Sequence, residues 1–377
     1  MKILKKIGKW LLYILSGIIA LILVLLLVIR INSAGVEEPF LDDNGNVLPN
    51  SIAYNEDMVI NGAPQRVTVR GKDINNPVLL RVTGGPGAFH TPPVHKVFGN
   101  DLEDLLTVCY WDQRGAGPAY KSSIPDSSLT LDQIVKDGLE VAEFLIKKFK
   151  KDKIYIEGAS WGTTVSAYMV QKRPELFKAY IGIGQMANQL LSEQISFDFA
   201  MKEAQKHNDQ VSIEQLNKIG RPPYPHMTNV EMAEACDVER AVAEKYEPNR
   251  VNVGLKEISK ILLDKGLTFR DKYASMQYYG TYYPAYNILW PTCFNINLIR
   301  DIPEWEIPVY IMQGDNDHYT ETSLAKAYFD SLHAPEKKCF CLKMQHMVLT
   351  LNIRKNTVPF ISMKYLKNKT TANKVLW

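Results

Sequence analysis

The sequence predicts an α/β fold, a mostly parallel sheet with helices on both faces, carrying an inserted helical cap and preceded by one N-terminal transmembrane helix. Three observations predict it. Between residues 66 and 184, runs rich in β-formers alternate with helical patterns, as in sheets whose parallel strands are joined by crossover helices. From about Gln189 to about Arg300 the alternation gives way to mostly helical sequence, and Val309-Tyr310-Ile311-Met312 then resumes the strands. Ahead of both, Leu11 to Ile29 carries no charge and is long enough as a helix to cross a bilayer's hydrocarbon core. The expected organisation is a membrane anchor at 1–34, a first core part at 35–188, a cap at 189–300 and a second core part at 301–377.

Lys2, Lys5, Lys6 and Lys9 precede the apolar span and only Arg30 follows it closely, which predicts a cytoplasmic N-terminus and an extracytoplasmic main domain. A secretory signal has a shorter apolar stretch and a small-residue cleavage site, for which Ser33-Ala34-Gly35 is a weak candidate. A retained anchor is therefore favoured, and secretion after cleavage is the alternative. The net charge of +3 over 377 residues is partly contributed by those lysines, so nothing marks a nucleic-acid partner; the expected macroscopic partner is the lipid bilayer. Cys109, Cys236, Cys293, Cys339 and Cys341 show no metal-binding spacing and read as buried free thiols, with an unassigned extracytoplasmic disulfide as the alternative; no metal or cofactor is implied.

Arg66–Arg70 and Val78–Val82, separated by Gly71 and Asn75-Asn76-Pro77, are expected to pair as a hairpin. Thr107–Trp111 is a buried strand. Thr130 and Gln133 suggest a capping box, and Val135, Leu139, Ala142, Leu145, Ile146 and Phe149 recur at helical spacing behind it. Lys153–Glu157 is a strand that enters Gly158-Ala159-Ser160-Trp161-Gly162, and Trp161 to Lys172 is a helix that stops before Pro174. Tyr180–Gly184 is the next strand. In the cap, Tyr279, Tyr282, Tyr283 and Tyr286 fall at helical steps, which favours packing over a substrate cage, and Pro284 is expected to break their helix.

A serine between glycines at a strand-to-helix turn is the context of an exposed, strained nucleophile. A serine hydroxyl needs a base to take its proton and an acid to orient that base. Gln313-Gly314-Asp315-Asn316-Asp317-His318 follows the strand at Val309 and offers the acid; Gln345-His346-Met347 follows the strand-like Lys338–Leu342 and offers the base. The assignment is Ser160, Asp317 and His346, with Asp315 the alternative acid and His318 or His333 the alternative bases. Thr83-Gly84-Gly85-Pro86-Gly87, after an early strand, is placed to supply one oxyanion donor at Gly85, and the backbone N–H of Trp161 supplies the other.

Gly84-Gly85-Pro86-Gly87, Trp111-Asp112-Gln113-Arg114-Gly115-Ala116-Gly117, Gly158–Gly162 and the loop holding Asp317 together resemble the proline iminopeptidase (prolyl aminopeptidase) family of α/β-hydrolases. The resemblance covers about 50–190 and 300–350. It implies a serine exopeptidase that removes an N-terminal residue, often proline, with the cap selecting the free amine of a small peptide. Asp112 and Arg114 look like a structural pair bracing the site. Thr83 stands where the family usually has His, and Gln345 where Gly is common; the acidic residues that bind the amine do not align. Two other readings stay open: an esterase or amidase in which the aromatic cap forms an acyl pocket, and a membrane-tethered, non-catalytic binding protein.

Overall fold

A computed structural model describes residues 2–89, 102–246, 255–276 and 281–342. Helix α1 (Lys2–Ile31) opens the chain; its stretch from Lys6 to Ile31 is long and apolar enough to cross a membrane and none of it is buried within the molecule. The sheet follows, with β1 (Ile52–Ile60), β2 (Ala63–Gly71), β3 (Val78–Val82), β4 (Thr107–Asp112), β5 (Ile154–Ala159), β6 (Phe177–Ile183), β7 (Val309–Gly314) and β8 (Lys337–Leu342) in the spatial order β1-β2-β4-β3-β5-β6-β7-β8. The β1/β2 and β2/β4 pairs are antiparallel and every later pair is parallel. This is the mostly parallel α/β sheet that the alternating pattern predicts.

Alternation within the strands puts apolar side chains on both faces. Val78, Leu80 and Val82 join Trp111, Ile156 and Val165 on one side, while Leu79, Val108, Tyr110, Ile181 and Met312 make the core of the other. Helix α2 (Leu131–Phe149) buries Ile134, Val135, Val141, Ala142, Leu145 and Phe149 on the first face, and α3 (Trp161–Lys172) lies beside it. Leu139 and Ile146 are only half-buried, and Ile134 and Val141 take the positions facing the sheet.

Two local expectations need correction. β2 and β3 do not form a hairpin, because β4 lies between them. The hairpin is β1/β2, turned by Asn61-Gly62 at φ 46° and 77°. That pair of left-handed residues is what a two-residue turn with the strands' own twist requires. At α2, Thr130 accepts the Gln133 N–H, yet the Gln133 side chain donates onward to Asp137 at 2.9 Å, so the reciprocal half of the capping box is not made.

Between β6 and β7 run α4 (Gln189–Lys206), α5 (Gln210–Ile219), α6 (Asn229–Lys245), α7 (Leu255–Leu262), α8 (Phe269–Met276), α9 (Tyr283–Cys293) and α10 (Leu298–Asp301), with α11 (Thr322–Ser331) between β7 and β8. Pro284 sits in the first turn of α9, where a missing N–H costs nothing, and so begins that helix. Tyr286 and Trp290 stack at 5.6 Å and are core residues, at 1% and 3% exposed. Tyr279 lies outside the described residues.

Candidate active site

β5 delivers Ser160 to a turn with φ 50° and ψ −119°, a conformation that L-residues rarely adopt. The Ser160 N–H donates to the Ile183 carbonyl at 2.9 Å and its own carbonyl accepts the N–H of Thr163 at 2.7 Å, which starts α3. The flanking glycines are needed for backbone proximity. A Cβ on Gly158 would stand 2.3 Å from the Gly162 carbonyl oxygen, and one on Gly162 would stand 2.1 Å from that of Val82. No side chain fits at either position, so the turn is held against β3 with Ser160 left half-exposed.

The glycine loop after β3 packs onto this turn. A Cβ on Gly84 would lie 3.2 Å from the Ala159 carbonyl oxygen and 3.4 Å from the Cβ of Ser160, so Gly84 packs directly on the serine turn. Gly85 has φ +114° and Gly87 φ +88°, and a Cβ on Gly87 would meet the Tyr282 carbonyl at 2.6 Å. The loop is thus wedged between the serine turn and the start of α9. Gln113, at the exit of β4 and 2% exposed, accepts the indole N–H of Trp161 at 3.1 Å and donates to the Thr83 carbonyl at 3.0 Å. It ties Trp161 to the base of the glycine loop, a role the sequence did not disclose.

Asp315 is exposed, whereas Asp317 is fully buried. One Asp317 oxygen accepts the N–H groups of Tyr319 and Thr320, both at 2.9 Å, and the other accepts the Thr320 hydroxyl at 2.8 Å. The loop is clamped again by Gln313, which donates to the Thr320 carbonyl at 2.6 Å and accepts the N–H of Gln185 at 2.8 Å. Of the alternative bases, His318 lies 3.3 Å from Glu321 and stacks on Phe199 in the cap, and His333 is largely exposed beside Glu304. His318 helps hold the Glu321 carboxyl below the usual range, although burial, the largest influence, acts the other way. His346 lies outside the described residues. The strand before it, β8, runs parallel to β7 and sets Leu342 beside Gly314, so its C-terminal end shares the sheet edge with the Asp317 loop and the Ser160 turn.

Arg114 is braced differently from the Asp112 pairing expected of it. Its guanidinium grips the buried Asp137 with bonds of 2.7 and 3.0 Å and also donates to the Asn61 carbonyl at 3.1 Å. Asp137 further accepts Asn61, Gln65 and Gln133. The pair therefore joins the hairpin turn, the exit of β4 and α2.

Above the site, Arg240 of α6 bonds Glu193 at 2.7 Å and the Tyr286 hydroxyl at 3.1 Å, and its guanidinium carbon lies 4.1 Å from the Trp290 ring and 5.0 Å from that of Tyr319. Tyr319 belongs to the Asp317 loop, so this cluster joins the cap to the acid. Asp237 accepts the Tyr283 hydroxyl at 2.7 Å, Glu239 accepts that of Ser196, and Glu244 accepts that of Tyr319. One Glu193 oxygen is buried with no hydrogen-bond partner among the described residues. Burial pulls the Arg240 pKa down, but Glu193 and its neighbours outweigh it and hold the group firmly cationic.

The sequence model of the alpha/beta hydrolase fold matches residues 77–349. The chain belongs to this α/β-hydrolase family. Among curated relatives, the hydrolase is 28% identical over 303 residues to a probable aminopeptidase, YbaC, of Bacillus subtilis (strain 168), across 77% of this chain and 89% of that protein. It is 31% identical over 105 residues to a proline iminopeptidase of Neisseria gonorrhoeae, across 28% of this chain and 31% of that one. Among solved structures, the proline iminopeptidase of Mycobacterium smegmatis superposes with a TM-score of 0.59 over 83% of this chain and 99% of that one; at 16% identity the likeness speaks for the fold alone. These relatives agree with the family resemblance carried by the sequence motifs.

Proposed function

We propose that this hydrolase is a membrane-anchored serine aminopeptidase that releases N-terminal residues from small peptides. Ser160 Oγ attacks the carbonyl of the first residue while His346 takes the hydroxyl proton and Asp317 orients the imidazole. The N–H groups of Gly85 and Trp161 receive the oxyanion. His346 then returns the proton to the departing amine, and water repeats the sequence in reverse on the acyl-enzyme. Supporting these roles are the strained Ser160 turn, the desolvated and multiply bonded Asp317, and the glycine loop packed on the serine. A non-catalytic binding protein would have no use for that strain.

The observation that carries the aminopeptidase reading is a buried, half-satisfied carboxylate in the cap. Among the described residues, Glu193, Asp237, Glu239 and Glu244 lie around the guanidinium of Arg240, linked to the Asp317 loop through Tyr319, and one buried Glu193 oxygen has no hydrogen-bond partner there. A buried carboxylate oxygen left open at low dielectric favours an incoming ammonium. An esterase or amidase with an aromatic acyl pocket is the competing reading, supported by half-buried Tyr282 and Tyr283 above Gly87. Proline and alanine anilides, free and N-acetylated, decide between them beside p-nitrophenyl esters. Turnover of the free anilides with at least a tenfold preference over the acetylated ones is expected, and Glu193→Gln should raise KM for the free ones more than it lowers kcat. Ester turnover without any anilide release would discard the peptidase.

The lysines in the first turns of α1 and the lone Arg30 at its end support an extracytoplasmic catalytic domain on a retained anchor.

A further inference from the structure

The chain leaving α1 is built into the hydrolase. The carbonyl of Asn32 accepts the ammonium of Lys272 at 2.5 Å, Ala34 forms an antiparallel bridge with Thr268, and the Val36 N–H donates to the Lys265 carbonyl at 3.0 Å. Glu37 is 5% exposed and pairs with the buried Arg70 at 2.9 Å; Arg70 in turn meets Glu103, which accepts the Tyr110 hydroxyl at 2.9 Å. Gly266 closes against this linker so tightly that a Cβ there would stand 2.3 Å from Glu37. The exit of α1, strand β2 and the segment 263–273 are thereby fastened together. Loop or tether behaviour is not available to residues committed to so many buried bonds.

What that segment shows to the outside is selective. Its exposed residues are Leu263, Lys265, Phe269, Arg270 and Tyr273, and its two acids, Asp264 and Asp271, are both buried. Ile31 and Val36, on either side of the helix exit, are also largely exposed. Aliphatic and aromatic side chains interspersed with cations only, next to the end of an apolar helix, is the composition of a surface seated in a lipid headgroup region. Arg270 is exposed and donates to the Tyr120 carbonyl at 3.3 Å.

We propose that the 263–273 surface is a lipid-facing collar, resting on the anionic headgroups of the bilayer that α1 enters and holding the cap at a fixed height above it. This rests on the reading of α1 as a retained anchor. The test places a benzophenone-bearing residue in place of Phe269, Tyr273 or, as a control, the exposed Val211 of α5, in the full chain reconstituted into phosphatidylcholine–phosphatidylglycerol vesicles. Illumination should yield lipid adducts at 269 and 273 at least tenfold above those at 211, in protein that resists alkaline extraction and melts like the parent. Equal adducts at all three positions in protein that still resists extraction would overturn the collar while leaving the anchor standing. Release by alkali would overturn the anchor, and the collar with it.

Discussion

Gln113 joins Trp161 to Thr83, accepting the indole N–H at 3.1 Å and donating to the carbonyl at 3.0 Å from a site closed to solvent. The two residues it joins begin the two segments proposed to hold the oxyanion, so its amide sets their separation. Replacing it with Leu strands a buried donor and a buried acceptor, each costing about 1–3 kcal/mol. Gln113→Leu should lower kcat by about 10²-fold with KM changed little, because misplacement of about 1 Å carries a penalty of that order. Steady-state kinetics on the variant would show it, and an unchanged kcat would remove Gln113 from the machinery.

The serine turn makes a prediction that separates strain from chemistry. At φ 50° and ψ −119°, Ser160 occupies backbone space natural only to glycine, at a cost of about 1–3 kcal/mol. Ser160→Gly relieves that cost but raises the entropy of the unfolded chain, leaving a net gain of about 1 kcal/mol. Denaturant melts of the variant should show higher stability together with loss of all turnover.

Burial distinguishes the two aspartates of the acid loop. Asp317→Asn should reduce kcat by about 10³–10⁴-fold, since an amide cannot hold the base in the required tautomer. Asp315→Asn, on an exposed side chain, should stay within about threefold of the parent. Comparable losses for both would reject the assignment.

Among the thiols, Cys341 is exposed while Cys109, Cys236 and Cys293 are buried. Burial, reinforced by the neighbouring Cys341, pushes the Cys339 thiol up to about 12. The thiolate is the reactive form, so at pH 8 Cys339 stays protonated and inert. Iodoacetamide on the native chain should add one group, at Cys341, by intact mass and peptide mapping; early alkylation of Cys339 would contradict the packing of β8.

How much of this was legible in the sequence follows from the range of each interaction. The turn at Ser160 depends on glycines two residues to either side, and the strand and helix around it carry their own local patterns, so it could be read directly. The Gln113 bridge could not, since its partners lie 30 and 48 residues away. Asp112 is the carboxylate nearest Arg114 in the sequence, but its partner is Asp137, 23 residues on, which α2 brings to the guanidinium. The misread hairpin is of another kind. Asn61-Gly62 is a local signal for the β1/β2 turn, whereas Gly71 and the Asn-Asn-Pro turn carry the chain from β2 to a strand that is not its neighbour. Asp315 and Asp317 are indistinguishable by composition, and only the fold shows which one loses water.

The central claim is that Ser160 is an activated nucleophile, and covalent labelling tests it most directly. A fluorophosphonate probe applied to the 377-residue chain, followed by peptide mapping, should place one adduct on Ser160, and Ser160→Ala should abolish it. A folded chain left unlabelled, or labelled at any other residue while Ser160 stays free, would contradict the account.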